Sequence, residues 1–433
     1  MGSLLSFLFL MALMMALLAL GVWVAAALLA VGLVAFIVFG DVPIADVLAT
    51  SLWSSTASWP LTALPLFIWM GEILYRTSLA ADMFRGLQPW LSRIPGRLLH
   101  VNVFACSIFA AVSGSSAATA ATIGQMTLPE LKRRGYPQSA SLGSLAAGGT
   151  LGILIPPSIP MIVYGVAGQV SIAKLFLAGV IPGLVLVSLF TLYTVVWAMI
   201  FRHRMPQKEA STSLRHKLVE SRRLFPVGLL IVAVIGSIYS GIATPTEAAA
   251  VGVLGSFAIS AATRSLSWKT FIASINGAIK ITCMITFILA AASFLSTALA
   301  FLQMPATLAK GIGSLQLTPG MLLLALAVLF VFLGCFIDGI SMVVLTAAIV
   351  LPIVERAGID LLWFGIFLVV MVEMANITPP VGFNLFVIQG ITGRDSTLIA
   401  LDALPYFFIM CAFAVVITVF PSIVTFLPNL AFK

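Results

Sequence analysis

The chain has 433 residues, of which 61% are hydrophobic and only 8% charged, a balance that leaves too little polar surface to solvate a globule in water and assigns most of the chain to lipid. The formal charge of +8 would suggest nucleic-acid binding in a soluble protein, but the basic residues stand at the ends of apolar runs and in one loop, so lipid and no nucleic acid is expected as partner. Cys106, Cys283, Cys335 and Cys411 lie far apart in apolar runs without a Cys-x-x-Cys pair, a pattern of neither disulfides nor a zinc site.

Apolar runs of about 20 residues, the length a bilayer core requires, recur from Leu4 to Phe426. Their backbone must be hydrogen-bonded internally, and they lack the alternation of barrel strands, so an all-α polytopic membrane protein is expected. The first run, Leu4 to Leu20, has no basic segment before it and is followed at once by Val22 to Phe39, so it reads as a retained span rather than a signal peptide. Met1-Gly2-Ser3-Leu4-Leu5-Ser6 fits the loose myristoylation pattern, but Ser6 already belongs to the apolar run, and chance explains the match better.

From His100 to Leu131 the chain is too long for one span and too short for two, and it begins and ends near basic clusters, Arg93 and Arg97 before it and Lys132 to Arg134 after it. Its middle, Val112-Ser113-Gly114-Ser115-Ser116-Ala117-Ala118-Thr119, is small and hydroxyl-rich. A re-entrant hairpin with its tip inside the membrane accounts for all three features. Next comes Gly148-Gly149-Thr150-Leu151-Gly152-Ile153-Leu154-Ile155-Pro156-Pro157-Ser158; paired prolines remove two N–H donors and push Ile155 out of the helical region, which breaks the helix. Seven of the 22 Lys and Arg residues then fall between Arg202 and Arg223, with only Glu209 and Glu220 against them, which marks a cytoplasmic loop. Beyond it, helices are expected at Leu224 to Tyr239 and Thr246 to Thr263, with a span near Ile285 to Leu302. A second hairpin follows over about Pro319 to Val354, with Gly334-Cys335-Phe336-Ile337-Asp338-Gly339 in its middle, and then a second broken helix at Asn376-Ile377-Thr378-Pro379-Pro380-Val381-Gly382.

These features repeat. Adding 223 maps Pro129 to Pro352, Gly135 to Gly358, Pro156 and Pro157 to Pro379 and Pro380, and Pro182 to Pro405, so the chain contains two related halves. Counting spans from the basic loop puts Gly135 inside and Gly358 outside. The charge agrees, Lys132-Arg133-Arg134 preceding the one and Val354-Glu355-Arg356-Ala357 the other. The halves are therefore inverted, an arrangement that in transporters sets the substrate site near the membrane midplane. The expected organisation is a first repeat over 1–201 (hairpin about 98–134, broken helix about 137–168), a cytoplasmic linker over 202–223, and a second repeat over 224–433 (hairpin about 319–357, broken helix about 359–392). Asp338, at Ser115 plus 223, is an acid at membrane depth and so a functional candidate. Carbonyls exposed at the breaks, with nearby Ser, Thr and Asn oxygens, can replace the water shell of a small cation. Glu72, Glu247 and Glu373 lie in or beside apolar runs and fit structural roles as well as transport roles, and Lys280 fits an interfacial role.

Through Pro65-Leu66-Phe67-Ile68-Trp69-Met70-Gly71-Glu72, Ser113-Gly114-Ser115-Ser116, Gly152-Ile153-Leu154-Ile155-Pro156-Pro157-Ser158, Thr244-Pro245-Thr246-Glu247-Ala248-Ala249-Ala250 and Ile377-Thr378-Pro379-Pro380-Val381-Gly382, the chain resembles over nearly its whole length the DctM-like large membrane subunit of the tripartite ATP-independent periplasmic (TRAP) transporters, within the wider ion-transporter superfamily. Gly21-Val22-Trp23 departs from the usual Gly-Val-Pro and leaves only the first helix boundary open. The resemblance implies an elevator fold in the bacterial inner membrane, N-terminus periplasmic. It further implies sodium-coupled uptake of an organic acid such as a C4-dicarboxylate or sialic acid, with a periplasmic DctP-like binding protein, a small DctQ-like membrane subunit and no cofactor beyond coupling sodium ions. Sodium would be held by Ser113, Gly114, Ser115, Ser116, Gly149, Thr150, Gly152 and Pro156 in one half and by Asp338, Gly339, Asn376, Thr378 and Gly382 in the other, with Ser116, Ser158, Pro380 and Asn384 around the substrate.

The sequence contains no His-Glu-x-x-His, no Gly-x-Ser-x-Gly and no Gly-x-x-x-x-Gly-Lys-[Ser/Thr], so neither an intramembrane enzyme nor an ATP-driven machine is expected. A channel gives no reason for paired broken helices. The nearest rival is a proton-coupled organic-anion carrier, which needs a titrating carboxylate, Asp338 being the natural suspect.

Overall fold

The computed structural model describes residues 3–40, 43–206, 213–304, 318–334, 337–379 and 382–431. Among them the regular structure is helical. The first half contains α1 (Ser3–Ala19), α2 (Val24–Phe39), α3 (Ile44–Thr56), α4 (Ala63–Tyr75), α5 (Leu79–Leu91), α6 (Leu99–Ser113), α7 (Ser116–Arg133), α8 (Gln138–Thr150), α9 (Ile159–Ala167) and α10 (Ile172–Ile200). After the short α11 (Leu214–Ser221), the second half contains α12 (Phe225–Tyr239), α13 (Pro245–Ala262), α14 (Trp268–Phe301), α15 (Pro319–Gly334), α16 (Gly339–Arg356), α17 (Leu361–Ala375), α18 (Phe383–Thr392), α19 (Ser396–Val419) and α20 (Ser422–Ala431). α10, α13, α14 and α19 are each long and apolar enough to cross a bilayer. Large side chains such as Leu192, Val232, Leu254 and Phe408 stand exposed along these helices and α12, as lipid-facing surfaces require.

The repeat holds at the level of helices. Shifted by 223, α7 becomes 339–356, the bounds of α16, and α8, α9 and α10 become 361–373, 382–390 and 395–423, against Leu361–Ala375, Phe383–Thr392 and Ser396–Val419. Gly135 and Gly358 both have φ of 75°. The correspondence also reaches the first helices, α1 and α2 shifting to 226–242 and 247–262 beside α12 and α13.

One part of the repeat differs. α3 and α4 shift to 267–279 and 286–298, both covered by the continuous, 34-residue α14 and its cap Ser267. In the first half they form a pair bent by 57°. The bend lies at Ser54-Ser55-Thr56-Ala57-Ser58-Trp59-Pro60: Ser55 and Thr56 return their hydroxyls to Ser51 O and Leu52 O, and Pro60 has no N–H to give. Its counterpart, Cys283, is helix-compatible, so α14 begins at Trp268 instead of the expected vicinity of Ile285.

Packing distinguishes two groups of helices, which touch each other through α4 on α6 and α14 on α16. α14 lies against α2, α3 and α4, and α4 against α13. The hairpins and broken helices interlock across the repeats: α9 packs on α16 of the second hairpin, α18 packs on α7 of the first, and α8 and α17 pack on α19 and α10. α17 is buried at every residue from Trp363 to Ala375, the expected position for a helix apolar on all sides. α8 reaches the same burial with Ser, Ala and Gly in place of large residues, which brings its backbone close to its neighbours.

Candidate functional site

The first hairpin turns in two residues. Gly114 ends α6 at φ 60° and gives its N–H to Ala110 O, the left-handed closure for which glycine has no steric penalty. Ser115 then caps α7, its Oγ accepting from Ala118 N at 3.4 Å. Thr119 returns its hydroxyl to Ser115 O at 2.7 Å and lies 2.8 Å from Ser113 Oγ. Ser113 and Ser116 are buried beside them.

The helix break behind this tip comes earlier than the prolines alone require. α8 stops at Thr150, and Leu151 to Pro157 run through turns before Ser158 caps α9; the poor helix formers Gly148, Gly149 and Gly152 end the helix ahead of Pro156. The tip is docked into the break. Ile159 N donates to Gly114 O at 3.2 Å, and Gly152 lies so close to Ser115 that a Cβ there would stand 2.6 Å from its carbonyl oxygen. Ser113, Gly114, Ser115, Ser116, Gly149, Thr150, Gly152 and Pro156 are thus gathered on one tip and one break, with hydroxyl and carbonyl oxygens as their polar groups. Ser158 gives its hydroxyl to Ile153 O and accepts from Met161 N, so its side chain is committed within the break.

The second hairpin repeats the plan with an acid. Asp338 caps α16: one carboxylate oxygen accepts from Ile340 N and Ser341 N, each at 3.1 Å, and the other from Ser341 Oγ. Val372 of α17 presses on Gly339. α17 ends at Ala375, and across the break Asn384 N donates to Asn376 O at 3.1 Å, Gly382 N to Thr378 O at 3.1 Å, and Thr378 Oγ1 to Met374 O at 2.7 Å. Asp338, Gly339, Asn376, Thr378 and Gly382 therefore lie on one tip and one break as well. Pro380 and Cys335 fall outside the described residues.

Between the two tip and break pairs, Ser116 Oγ donates to Asn384 Oδ1 at 2.7 Å, and Asn384 Nδ2 donates to Ala146 O at 3.4 Å. Both residues are buried. Through this bond the N-termini of α7 and α18, with their partial positive charge, converge on one point. None of the residues named at the tips and breaks is basic. Among the described residues no three His, Cys, Asp or Glu side chains cluster as metal ligands, and the oxygen donors present suit a hard cation.

The other acids separate by environment. Glu72 pairs with Arg76 at 3.0 Å, and Arg76 also donates to Ala273 O on α14, which ties the α4 end to its neighbour. Glu247 completes a capping box with Thr244 at the start of α13, its carboxyl accepting from the Thr244 N–H and hydroxyl at 2.8 Å each. Lys280 is exposed on α14. Glu373 is 0% exposed, and neither carboxyl oxygen has a hydrogen-bond partner among the described residues. A cleft of about 1060 Å³ opens between the two helix groups, lined by Ser58, Trp59, Thr244 and Ser296 on one side and Gly168 and Glu355 on the other. Its hydroxyl run at 54–58 was visible in the sequence but carried no motif.

The family described as tripartite ATP-independent periplasmic transporter, DctM component, matches residues 11–423. The C4-dicarboxylate TRAP transporter large permease DctM of Pseudomonas aeruginosa is 36% identical over 383 residues, covering 88% of this chain and 89% of the relative. The ectoine TRAP transporter large permease TeaC of Halomonas elongata is 31% identical, covering 92% and 93%, and the sialic acid TRAP transporter permease SiaT of Haemophilus influenzae is 32% identical, covering 87% and 61%. A crystal structure of the YdaH transporter of Alcanivorax borkumensis has the same fold, with a TM-score of 0.67, 14% identity and coverage of 94% and 98%. These relatives are transport proteins rather than enzymes, and the chain, a multi-pass helical membrane protein with two hairpins and two broken helices, belongs to the DctM family of large permease subunits of tripartite ATP-independent periplasmic transporters.

Proposed function

We propose that this chain is the translocating subunit of a sodium-coupled carrier that brings an organic acid across the inner membrane, with the loop at 202–223 on the cytoplasmic side. Sodium sits where each tip meets its break: at Ser113 to Ser116 with Gly149, Thr150, Gly152 and Pro156, and at Asp338 and Gly339 with Asn376, Thr378 and Gly382. The substrate anion lies at the junction of the halves, near Ser116 and Asn384, with Ser158 orienting α9 and Pro380 on the second break. The observation that carries this reading is the bond between Ser116 and Asn384, which brings two helix N-termini from opposite repeats to one point beside two oxygen-rich tip and break pairs.

The hairpins and broken helices move as one interlocked unit past α2, α4, α13 and α14, an elevator for which the cleft between the two groups leaves room. A periplasmic binding protein delivers the acid, and a small membrane subunit docks on the outer helices. Relatives named for C4-dicarboxylate and sialic acid support an organic acid as cargo.

Uptake into proteoliposomes, with candidate acids and their binding protein supplied, is expected to follow an inward sodium gradient. Asp338→Asn is expected to lower sodium-driven uptake by about tenfold or more, the order of loss when the support of an ion site is removed. Uptake that runs equally on a proton gradient without sodium overturns the reading.

A further inference from the structure

We propose that the carboxyl group of Glu373, which is not among the residues gathered at the hairpin tips, is a further cation-binding group of the carrier, and that it binds a monovalent cation, a proton or sodium. This rests on the reading of the chain as an ion-coupled carrier and adds a site to it. Glu373 lies near the end of α17, fully buried, with both carboxyl oxygens unpartnered among the described residues. Among the described residues no other acid is so buried, and several are held by donors. Asp338, Asp360 and Asp395 cap helices, and Glu130 is bonded to Arg133 and Arg134. An isolated carboxylate withdrawn from water without a donor is strongly disfavoured, so a cation must accompany Glu373. A side chain kept only for packing in so apolar a helix would carry no carboxyl group.

Its place in the repeat sharpens this. Glu373 is the counterpart of Thr150, whose hydroxyl is satisfied by Ala147 O at 2.8 Å. The first half therefore has a neutral, bonded group where the second has a bare acid. The contact between Val372 and Gly339 sets the turn carrying Glu373 against the second tip, one residue from Asp338. Asp338 accepts from three donors as a helix cap, whereas the fully buried carboxyl of Glu373 accepts from none among the described residues.

The ionisable side chains on the elements packed against α17 are Tyr164 of α9, Lys174 and Tyr193 of α10, Asp338, Glu355 and Arg356 of α16 and its cap, and Asp402, Tyr406 and Cys411 of α19; α15 and α20 carry none. None bonds to Glu373. Tyr164 donates to Leu361 O at the opposite end of α17, Tyr406 meets Thr194, and Asp402 pairs with Arg394.

The test uses the full chain in lipid nanodiscs, comparing wild type, Glu373→Gln and the volume-matched Glu373→Met, titrated with sodium chloride against choline chloride across neutral pH. If the cation is sodium, radiolabelled titration gives one sodium ion fewer per chain in both variants. If it is a proton, sodium stoichiometry is unchanged, but the infrared difference spectrum on adding sodium shows a protonated-carboxyl stretch changing in wild type and absent from both variants. In that case the apparent sodium affinity of wild type varies by up to about tenfold per pH unit, and the variants flatten it. Equal stoichiometry and equal pH dependence, with no Glu373-dependent carboxyl signal responding to sodium, overturn the proposal. Asp338→Asn is run beside them: if it leaves sodium binding intact, the hairpin sodium sites fail, whatever Glu373 does.

Discussion

At Gly152 the added methyl of an alanine would meet the backbone oxygen of Ser115, which no rotamer change can relieve. Gly152→Ala is expected to cost about 1–3 kcal/mol, read as a lower melting temperature of the purified protein. Gly390, which has nothing within 4 Å and sits inside α18, provides the control: Gly390→Ala is expected to be neutral or to stabilise by up to about 1 kcal/mol. The bond between Ser116 and Asn384 is testable by a double-mutant cycle with alanine at each position, for which a coupling of about 0.5–1.5 kcal/mol is expected. Additive losses would mean that the two side chains do not act together. Most of the residues gathered here were legible in the sequence because the tip and break motifs are local. The bare carboxyl of Glu373 was not, since an acid in an apolar run gives no sign of whether donors from distant helices will meet it.

Helix ends carry the next set of expectations. On α7, hydrogen bonds from Arg133 and Arg134 hold the Glu130 carboxyl below its ordinary value of 4.5. A lowered folded value means that this stabilisation is present above the ordinary value and is lost as pH falls through the folded one. Because the groups are at the surface, it is worth a few tenths of a kcal/mol. Glu130→Gln should therefore melt slightly below wild type at neutral pH, and the two should converge in acid. In α13, Thr244→Ala removes the capping box and is expected to cost about 1 kcal/mol. The hairpins and breaks were readable at this scale from proline and glycine spacing. The bend between α3 and α4 was not, because it depends on Pro60 in a stretch whose counterpart at Cys283 gives no break.

For the molecule as a whole, the bond from Ser116 to Asn384 joins residues 268 positions apart, and α18 covers α7 while α9 covers α16. The junction of Ser116 with Asn384 needs both repeats. Segments 1–206 and 213–433, made as two polypeptides, are expected to restore sodium-driven uptake when co-expressed and to give none singly. Activity from either segment alone would contradict the interlock. The inverted repeat was visible as an offset of 223 in the sequence, but this exchange of partners was not, since an offset relates positions without saying which copies touch.

The same exchange sets an order on biosynthesis. When the first hairpin leaves the ribosome, the helix that will cover it is still more than 200 codons from being translated, so the tip at Ser116 must wait in the membrane with one wall missing. Contacts of such long sequence separation form late and slowly. The junction of Ser116 with Asn384 is therefore closed only after both repeats are in the membrane, so a truncated or stalled copy keeps that polar tip uncovered.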